Sequence, residues 1–219
     1  MNILKNPKIK LFIILFFLLF LYVFISAFSY VNIISNDLQN SVFRLHIIAN
    51  SNSNEDQNLK YLVRDNIIKY METLCINCKS KNDTIKVVSN HLEDFTDIAN
   101  KTLQDNGFSY TAKVSLGNFE FPTKNYGDIS FPSGYYDALK IQLGNANGQN
   151  WWCVLYPSLC FVDVTSGIVP DESKNNLQNN LNEEEYKIIS DKNDTDINIK
   201  FKLIEFFNKN NIITAKKSN

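Results

Sequence analysis

In this 219-residue chain, any reactive site would have to draw on four cysteines and two histidines. Cys75 and Cys78 form C-I-N-C, a spacing used by thiol redox sites and zinc knuckles alike. Periodicity places the pair near the C-terminal end of a helix. That is the pole that disfavours a thiolate, whereas a redox site wants its first cysteine at a helix N-terminus. A four-cysteine zinc site pairs two C-x-x-C knuckles, but Cys153 and Cys160 stand seven apart, so no metal is expected. A local disulfide and a pair of inert thiols both remain open for Cys75 and Cys78. His46 reads as a strand residue and His91 as a helix residue beside Leu92. Around them there is no G-x-S-x-G elbow, no H-E-x-x-H and no G-x-G-x-x-G. A hydrolytic triad also needs a base within reach of a nucleophile and an orienter. Both histidines are expected to be structural, with no catalytic residue and no cofactor.

The second cysteine pair lies in N-W-W-C-V-L-Y-P-S-L-C-F-V-D-V, from Asn150 to Val164, which also holds both tryptophans. Folding this stretch about Tyr156–Pro157 sets Val154 opposite Leu159 and Cys153 opposite Cys160. Directly opposed antiparallel residues bring Cβ atoms to about 4.5–5.5 Å, and the closer pairs approach disulfide geometry. Proline at the second central position of the turn asks for a cis bond, and an aromatic–proline step suits one. The plainer alternative is two small apolar core residues. Trp151 and Trp152 point to opposite strand faces, so one serves the core while the other is left for a neighbour or a partner.

The N-terminus decides the redox context. Lys5, Lys8 and Lys10 precede an uncharged run from Leu11 to Phe28, enough for a membrane-spanning helix and oriented with the N-terminus inside. It fits a retained signal anchor, and it fits a signal peptide cut at Ser29–Tyr30. Either way the remainder is exported, which favours the Cys153–Cys160 disulfide. Residues 29–41 read as a polar tether.

The elements that must position these residues follow by period. Val42 to Ala49 alternates as a strand, with Phe43, Leu45 and Ile47 on one face and Arg44, His46 and Ile48 on the other. Ser53 caps a helix carrying Leu59, Leu62, Val63, Ile67, Tyr70, Met71 and Leu74, with Lys60, Arg64 and Asp65 on or beside its wetter side. A second helix is expected over 84–106, with Gly107 at its C-terminus. Period-2 segments then follow: F-S-Y-T-A-K-V-S-L, N-F-E-F, Y-D-A-L-K-I-Q-L, W-W-C-V-L-Y and L-C-F-V-D-V. Residues 171–182 read as a polar linker, 183–190 as a short helix, and 197–207 as strand or helix. The fold class is α+β: one strand, two helices and a mainly antiparallel sheet. The division is 1–28 anchor or signal peptide, 29–41 tether, 42–169 exported α+β domain, and 170–219 linker and mixed helix/strand extension. With 22 basic against 23 acidic residues and no dense Lys/Arg cluster, nucleic acid is excluded as a partner. A hydrophobic content of 44% excludes disorder.

Long strings within this frame resemble a known family. R-L-H-I-I-A-N-S-N-S-N-E-D-Q-N-L-K-Y-L-V-R-D (Arg44 to Asp65) resembles the opening signature of the stage II sporulation protein R family. F-P-T-K-N-Y-G (Phe121 to Gly127), F-P-S-G-Y-Y-D-A-L-K-I-Q-L-G (Phe131 to Gly144) and N-W-W-C-V-L-Y-P-S-L-C-F (Asn150 to Phe161) resemble its later blocks in order. The likeness covers residues 42–164. Pro157-Ser158 stands where the family has Pro-Pro, and Asn52 where it has Asp. The resemblance implies an exported signalling protein of endospore formation, made in the forespore and delivered to the space between forespore and mother cell. There it activates a membrane-embedded aspartic protease, which processes the mother-cell pro-sigma-E factor. It is membrane-anchored if residues 1–28 are retained. If so, the protein is not an enzyme. The contact residues expected are Arg44, Asn50, Ser51, Asp56, Gln57 and Arg64 around the first loop and helix, with Phe131, Pro132, Tyr135, Trp151 and Trp152 in the aromatic region. The rival readings are a thiol–disulfide oxidoreductase using Cys75 and Cys78, and a structural envelope protein.

Overall fold

The structure is a computed structural model that describes residues 7–160 and 169–190. The first helix, α1, runs unbroken over Pro7–Ser41. Leu11 to Ile25 are exposed, and an 18-residue stretch of mean hydropathy 3.0 makes the helix long and apolar enough to cross a membrane. The expected tether at 29–41 is therefore helical, which corrects the reading from composition. The reason lies in packing: Ile34, Ser35 and Leu38 are buried, so polar residues alternate with anchors into the domain. Asn36, Asp37 and Asn40 take the solvent side.

The centre of the domain is a four-stranded mixed sheet. Its strands are β1 (Phe43–Ile48), β2 (Ala112–Phe121), β5 (Gly134–Leu143) and β6 (Asn150–Tyr156), in the order β2-β5-β1-β6. The β2–β5 and β1–β6 pairings are antiparallel, whereas β1 and β5 run parallel, with Leu45 beside Leu139. The parallel pairing follows from the long crossover between them, which holds α2 (Asn54–Leu74), α3 (Lys81–Asn90) and α4 (Leu92–Asp105). The A-K-V-S-L end of F-S-Y-T-A-K-V-S-L joins N-F-E-F in the single strand β2, while 108–111 stay outside it. Between it and β5 lies a small hairpin of β3 (Lys124–Tyr126) and β4 (Ile129–Phe131) that periodicity did not show. Three residues per strand are too few to display a period.

Both faces of the sheet are covered. On one, Phe43, Leu45 and Ile47 of β1 pack with Leu139, Ile141 and Cys153 against Leu59, Val63 and Ile67 of α2 and Phe95, Ala99 and Leu103 of α4. On the other, Phe121, Phe131, Tyr136 and Val154 pack with Leu38 of α1, Leu177 of α5 (Asp171–Asn180) and Ile189 of α6 (Glu183–Ser190). The stretch 171–182 is thus largely helix α5, not a linker. The readings of Phe161 to Val164 and of 197–207 lie outside the described residues.

Ser53 caps α2 as its position predicts, accepting from the Asp56 amide at 3.2 Å. The second helix is two: the chain breaks at His91 and restarts as α4. Buried Val88 and Phe95 are seven apart, so the apolar stripe reads straight through the break. What marks it is polar. Asp94 is held at 2.6 Å from His91 Nδ1 and accepts from the Tyr70 hydroxyl at 2.7 Å. Gly107, at φ +81, ends α4 while its amide and that of Phe108 return to Gln104 and Leu103.

Because α1 enters the core at Leu38, Leu38→Ala in the detergent-solubilised chain should cost about 2–5 kcal/mol in urea unfolding. Asn36→Ala on the exposed side should change stability by less than about 0.5 kcal/mol. Equal, negligible effects of both would return 29–41 to a tether.

Candidate functional site

Strand β1 carries two polar residues into the face opposite α2. Arg44 is fully buried. Its guanidinium lies 4.2 Å from the Phe121 ring centre, 4.8 Å from Tyr136 and 5.6 Å from Phe131. Nη2 donates to the Tyr126 hydroxyl at 2.8 Å, and that hydroxyl donates to the Trp152 carbonyl at 3.0 Å. Nε and Nη1 have no hydrogen-bond partner among the described residues. Burial pushes the Tyr126 and Tyr136 phenols up, so they stay neutral, Tyr126 offering Arg44 a hydroxyl and Tyr136 a ring face rather than a negative charge. His46 stacks on Trp152 with ring centres 3.6 Å apart, and its Nε2 lies 2.7 Å from Asn150 Oδ1. Burial lowers its pKa to about 4 against the opposing Asn150 hydrogen bond, with Lys140 and Arg44 adding to the fall. Arg44 is thus an interior residue that holds the β3–β4 hairpin to the sheet, which corrects its expected place on a contact surface. A charge on a strand covered on both faces has nowhere to reach solvent.

The loop after β1 turns inward as well. Asp56 is buried, and it accepts from Asn50 Nδ2 at 2.9 Å, Ser51 Oγ at 2.5 Å and the Tyr110 hydroxyl at 2.5 Å. Burial alone would raise this carboxyl, but the three hydrogen bonds outweigh it and leave the pKa below the usual range. Asn50 Oδ1 accepts from the Asn145 amide at 2.9 Å, and Gln57 Nε2 donates to the Ser51 carbonyl at 2.8 Å. Lys60, expected on the wetter side of α2, is 1% exposed. It donates to Gln57 Oε1 at 2.6 Å and to the Gln149 carbonyl at 3.2 Å, and burial lowers its pKa. The glycines of the facing turn complete the fit. A Cβ on Gly144 would strike Asn50, and one on Gly148 would strike the Ser51 carbonyl. Asn50, Ser51, Asp56 and Gln57 therefore bind one another and the 144–149 turn.

What these contacts leave outside is a compact aromatic and cationic surface where α2 meets β6. Arg64 lies 4.5 Å over Trp151 and 5.0 Å over Tyr61, whose rings meet edge to face at 5.6 Å. Arg64 also pairs with Asp65 at 2.7 Å. Tyr61 is 36% exposed and Leu62 44%. The Trp151 indole nitrogen has no acceptor among the described residues. Large aromatics and an arginine at a solvent edge have the composition of interface anchors. Of the second expected patch, Phe131 and Pro132 are buried, the Pro132 carbonyl accepting from Tyr136 at 2.7 Å. Trp152 is half-buried in its stack with His46, and only Tyr135, at 48%, remains open. Tyr61 and Leu62 were missed as surface residues because the apolar period assigns Leu62 to the core. The i, i+3 spacing of Tyr61 and Arg64 was the signal available.

Cys153 and Cys160 stand at disulfide distance, with Cα atoms 5.4 Å apart. Cys75 and Cys78 are free and half-buried. Burial and the neighbouring Cys78 push the Cys75 thiol up to about 12, the wrong direction for a redox nucleophile. Among the described residues, no cluster of three or more histidine, cysteine or acidic residues could hold a metal ion.

Comparison with known proteins matches the sequence of this chain to a family. The family model described as stage II sporulation protein R matches residues 39–166. The chain is 38% identical over 130 residues to the stage II sporulation protein R of Bacillus subtilis (strain 168), an alignment that takes in 59% of this chain. It spans 58% of the length of that relative. No solved structure matches the chain.

The buried His46 makes stability depend on acid. Its pKa falls from 6.5 in the unfolded chain to about 4 in the fold, so the unfolded chain binds more protons between those values. Its contribution is complete above pH 6.5 and is lost as the pH drops toward 4, up to about 3 kcal/mol. Urea midpoints should fall across this window in the native chain and be flatter in His46→Gln. Equal slopes would show that His46 does not titrate between the two states.

Proposed function

Since this chain belongs to the stage II sporulation protein R family, we propose that it is an exported, non-enzymatic signalling protein of endospore formation. Its target is a membrane-embedded aspartic protease, and the outcome is processing of the mother-cell pro-sigma-E factor. The observation that carries this reading is the coincidence of the family match, 39–166, with the folded sheet domain and the end of α1. The protease itself follows from family resemblance.

The geometry suits a partner in or at a membrane. Exposed Ile25 and buried Ile34 lie on one continuous helix, about 14 Å apart at 1.5 Å per residue. While α1 is retained, the domain is held against the bilayer without a flexible spacer. If the chain is cut at Ser29–Tyr30, the packed portion of α1 stays with the domain. Activation then needs binding alone: the domain favours the active state of the protease to the extent that it contacts that state better than the inactive one. The Tyr61–Arg64–Trp151 surface supplies rigid contacts of the right kind, and Tyr135 marks a second exposed position. The oxidoreductase reading draws no support from Cys75, whose thiol is held protonated. A purely structural envelope role would give no link to sigma-factor processing.

The test is an immunoblot of the mother-cell sigma factor in sporulating cells lacking this gene. The precursor should accumulate, and the wild-type gene should restore processing. The double change Tyr61→Ala and Trp151→Ala should reduce processing about tenfold or more, since interface anchors cost upward of about 1 kcal/mol each. The thermal midpoint should fall by only a few degrees. Normal processing without the gene would sink the signalling role. Normal processing with the double variant would move the contact elsewhere, Tyr135 being the next position to change.

A further inference from the structure

The four cysteines are not two separate pairs. Cys75, Cys78 and Cys160 line one cleft of about 380 Å³, together with Met71, Tyr156 and Pro157. A hydrogen bond fixes the two sides of the cleft together: the Tyr156 hydroxyl donates to the Lys79 carbonyl at 2.8 Å. That joins the residue after Cys78 to the residue before Pro157. Within the Cys153–Cys160 pair the sulfurs differ in access. Cys153 is 1% exposed and lies inside the strand, whereas Cys160 is 8% exposed and forms part of the cleft wall.

We propose that Cys75–Cys78 is a thiol–disulfide exchange site whose substrate is the chain's own Cys153–Cys160 bridge. Cys78 gives its proton to solvent, and its thiolate attacks Cys160 Sγ. The Cys78–Cys160 bond forms, the Cys160–Cys153 bond breaks, and Cys153 leaves as a thiolate that takes up a proton. Cys75 then attacks Cys78 Sγ, its proton passing to Cys160 as that sulfur leaves, so that the Cys75–Cys78 bond forms and the Cys78–Cys160 bond breaks. One disulfide and two thiols stand on each side, so no external oxidant or reductant is consumed. Cys75 does not attack first, because burial and its hydrogen bond with Cys78 hold its proton. The exchange moves the staple from the end of β6 to the end of α2, freeing the 156–158 turn that closes the cleft. An exported chain with a single disulfide would thus hold two covalent isomers, which differ where β6 ends.

The test uses the full chain in detergent, prepared with the Cys153–Cys160 bridge and two free thiols. It is incubated at pH 7, 8 and 9, quenched in acid, alkylated and mapped by peptide mass spectrometry. The expected products are a Cys75–Cys78 bridge with alkylated Cys153, appearing faster at each higher pH because the thiolate is the reactant. Cys75→Ser cannot resolve the intermediate and should accumulate a Cys78–Cys160 bridge. The rate should not change on dilution. The proposal is overturned if Cys153 stays unalkylated and Cys75→Ser yields no Cys78–Cys160 peptide at pH 9. It is equally overturned if the rate scales with protein concentration, which would make the exchange a reaction between chains.

Discussion

The structure is organised around a guanidinium buried in rings. β1 is flanked on both edges, by β5 and by β6, and it is buried on both faces, so a cation placed on it must be enclosed. Arg44 is enclosed by Phe121, Phe131 and Tyr136, with one hydrogen bond to Tyr126. Desolvating a charge is costly, and aromatic faces return part of that cost without adding a second charge that must itself be desolvated. The arrangement explains why three consecutive segments are aromatic: the end of β2, the β3–β4 hairpin and the start of β5. Each supplies a wall. It also explains why Tyr126, on a strand of three residues, is held in place, since its hydroxyl bridges Arg44 to the backbone of β6.

The same economy governs the polar loop that follows. Asp56 is an acceptor at the centre of Asn50, Ser51 and Tyr110, and the facing turn comes so close that Gly144 and Gly148 have no room for a side chain. A string of asparagines and serines looks like an exposed recognition loop, yet most of its capacity is used within the fold. This internal satisfaction fixes the first turn of α2. With α2 fixed, Tyr61, Arg64 and Trp151 are held in one arrangement, and a surface with few conformations to lose is a cheaper one to bind.

Legibility in the sequence followed the length scale of each interaction. The β1 strand, the Ser53 cap, α2 and the Gly107 terminus were readable because each is decided within a few residues. The facing of Cys153 and Cys160 was readable because a tight turn sets its own register. What stayed hidden depended on distant partners. Lys60 is placed among polar residues by any helical wheel, and only the Gln149 carbonyl, 89 residues away, explains its burial. The break at His91 is silent in the apolar period because Val88 and Phe95 keep phase across it. α5 looks like a linker because Ser173 and Leu177 suffice to seat it. At the candidate site, Arg64 and Trp151 are partly exposed, as their reading as contacts requires, whereas Arg44, Phe131 and Pro132 were read as contacts when they are core. Residue type signals an anchor; it does not say whether the anchor faces a partner or the protein's own interior.

The continuity of α1 bears on how the domain is oriented relative to its apolar helix. An amphipathic end on an apolar helix makes the two environments share one rigid element, so the orientation of the domain follows from helical phase rather than from a linker's reach. Leu38 faces the core and Ile33, at 59% exposure, faces away from it. A rotation of the helix about its axis would therefore have to carry the whole domain with it. The segment from Ile34 to Ser41 also belongs energetically to the domain. Ser41 donates to Glu185 of α6 at 2.7 Å, and the Gln39 carbonyl accepts from Lys81 at the start of α3 at 3.0 Å. These contacts tie both outer layers to the helix end. Leu11 to Ile25 are apolar enough to cross a membrane, and all are exposed rather than packed in the domain. A chain with or without them keeps the same packed segment from Ile34 onward.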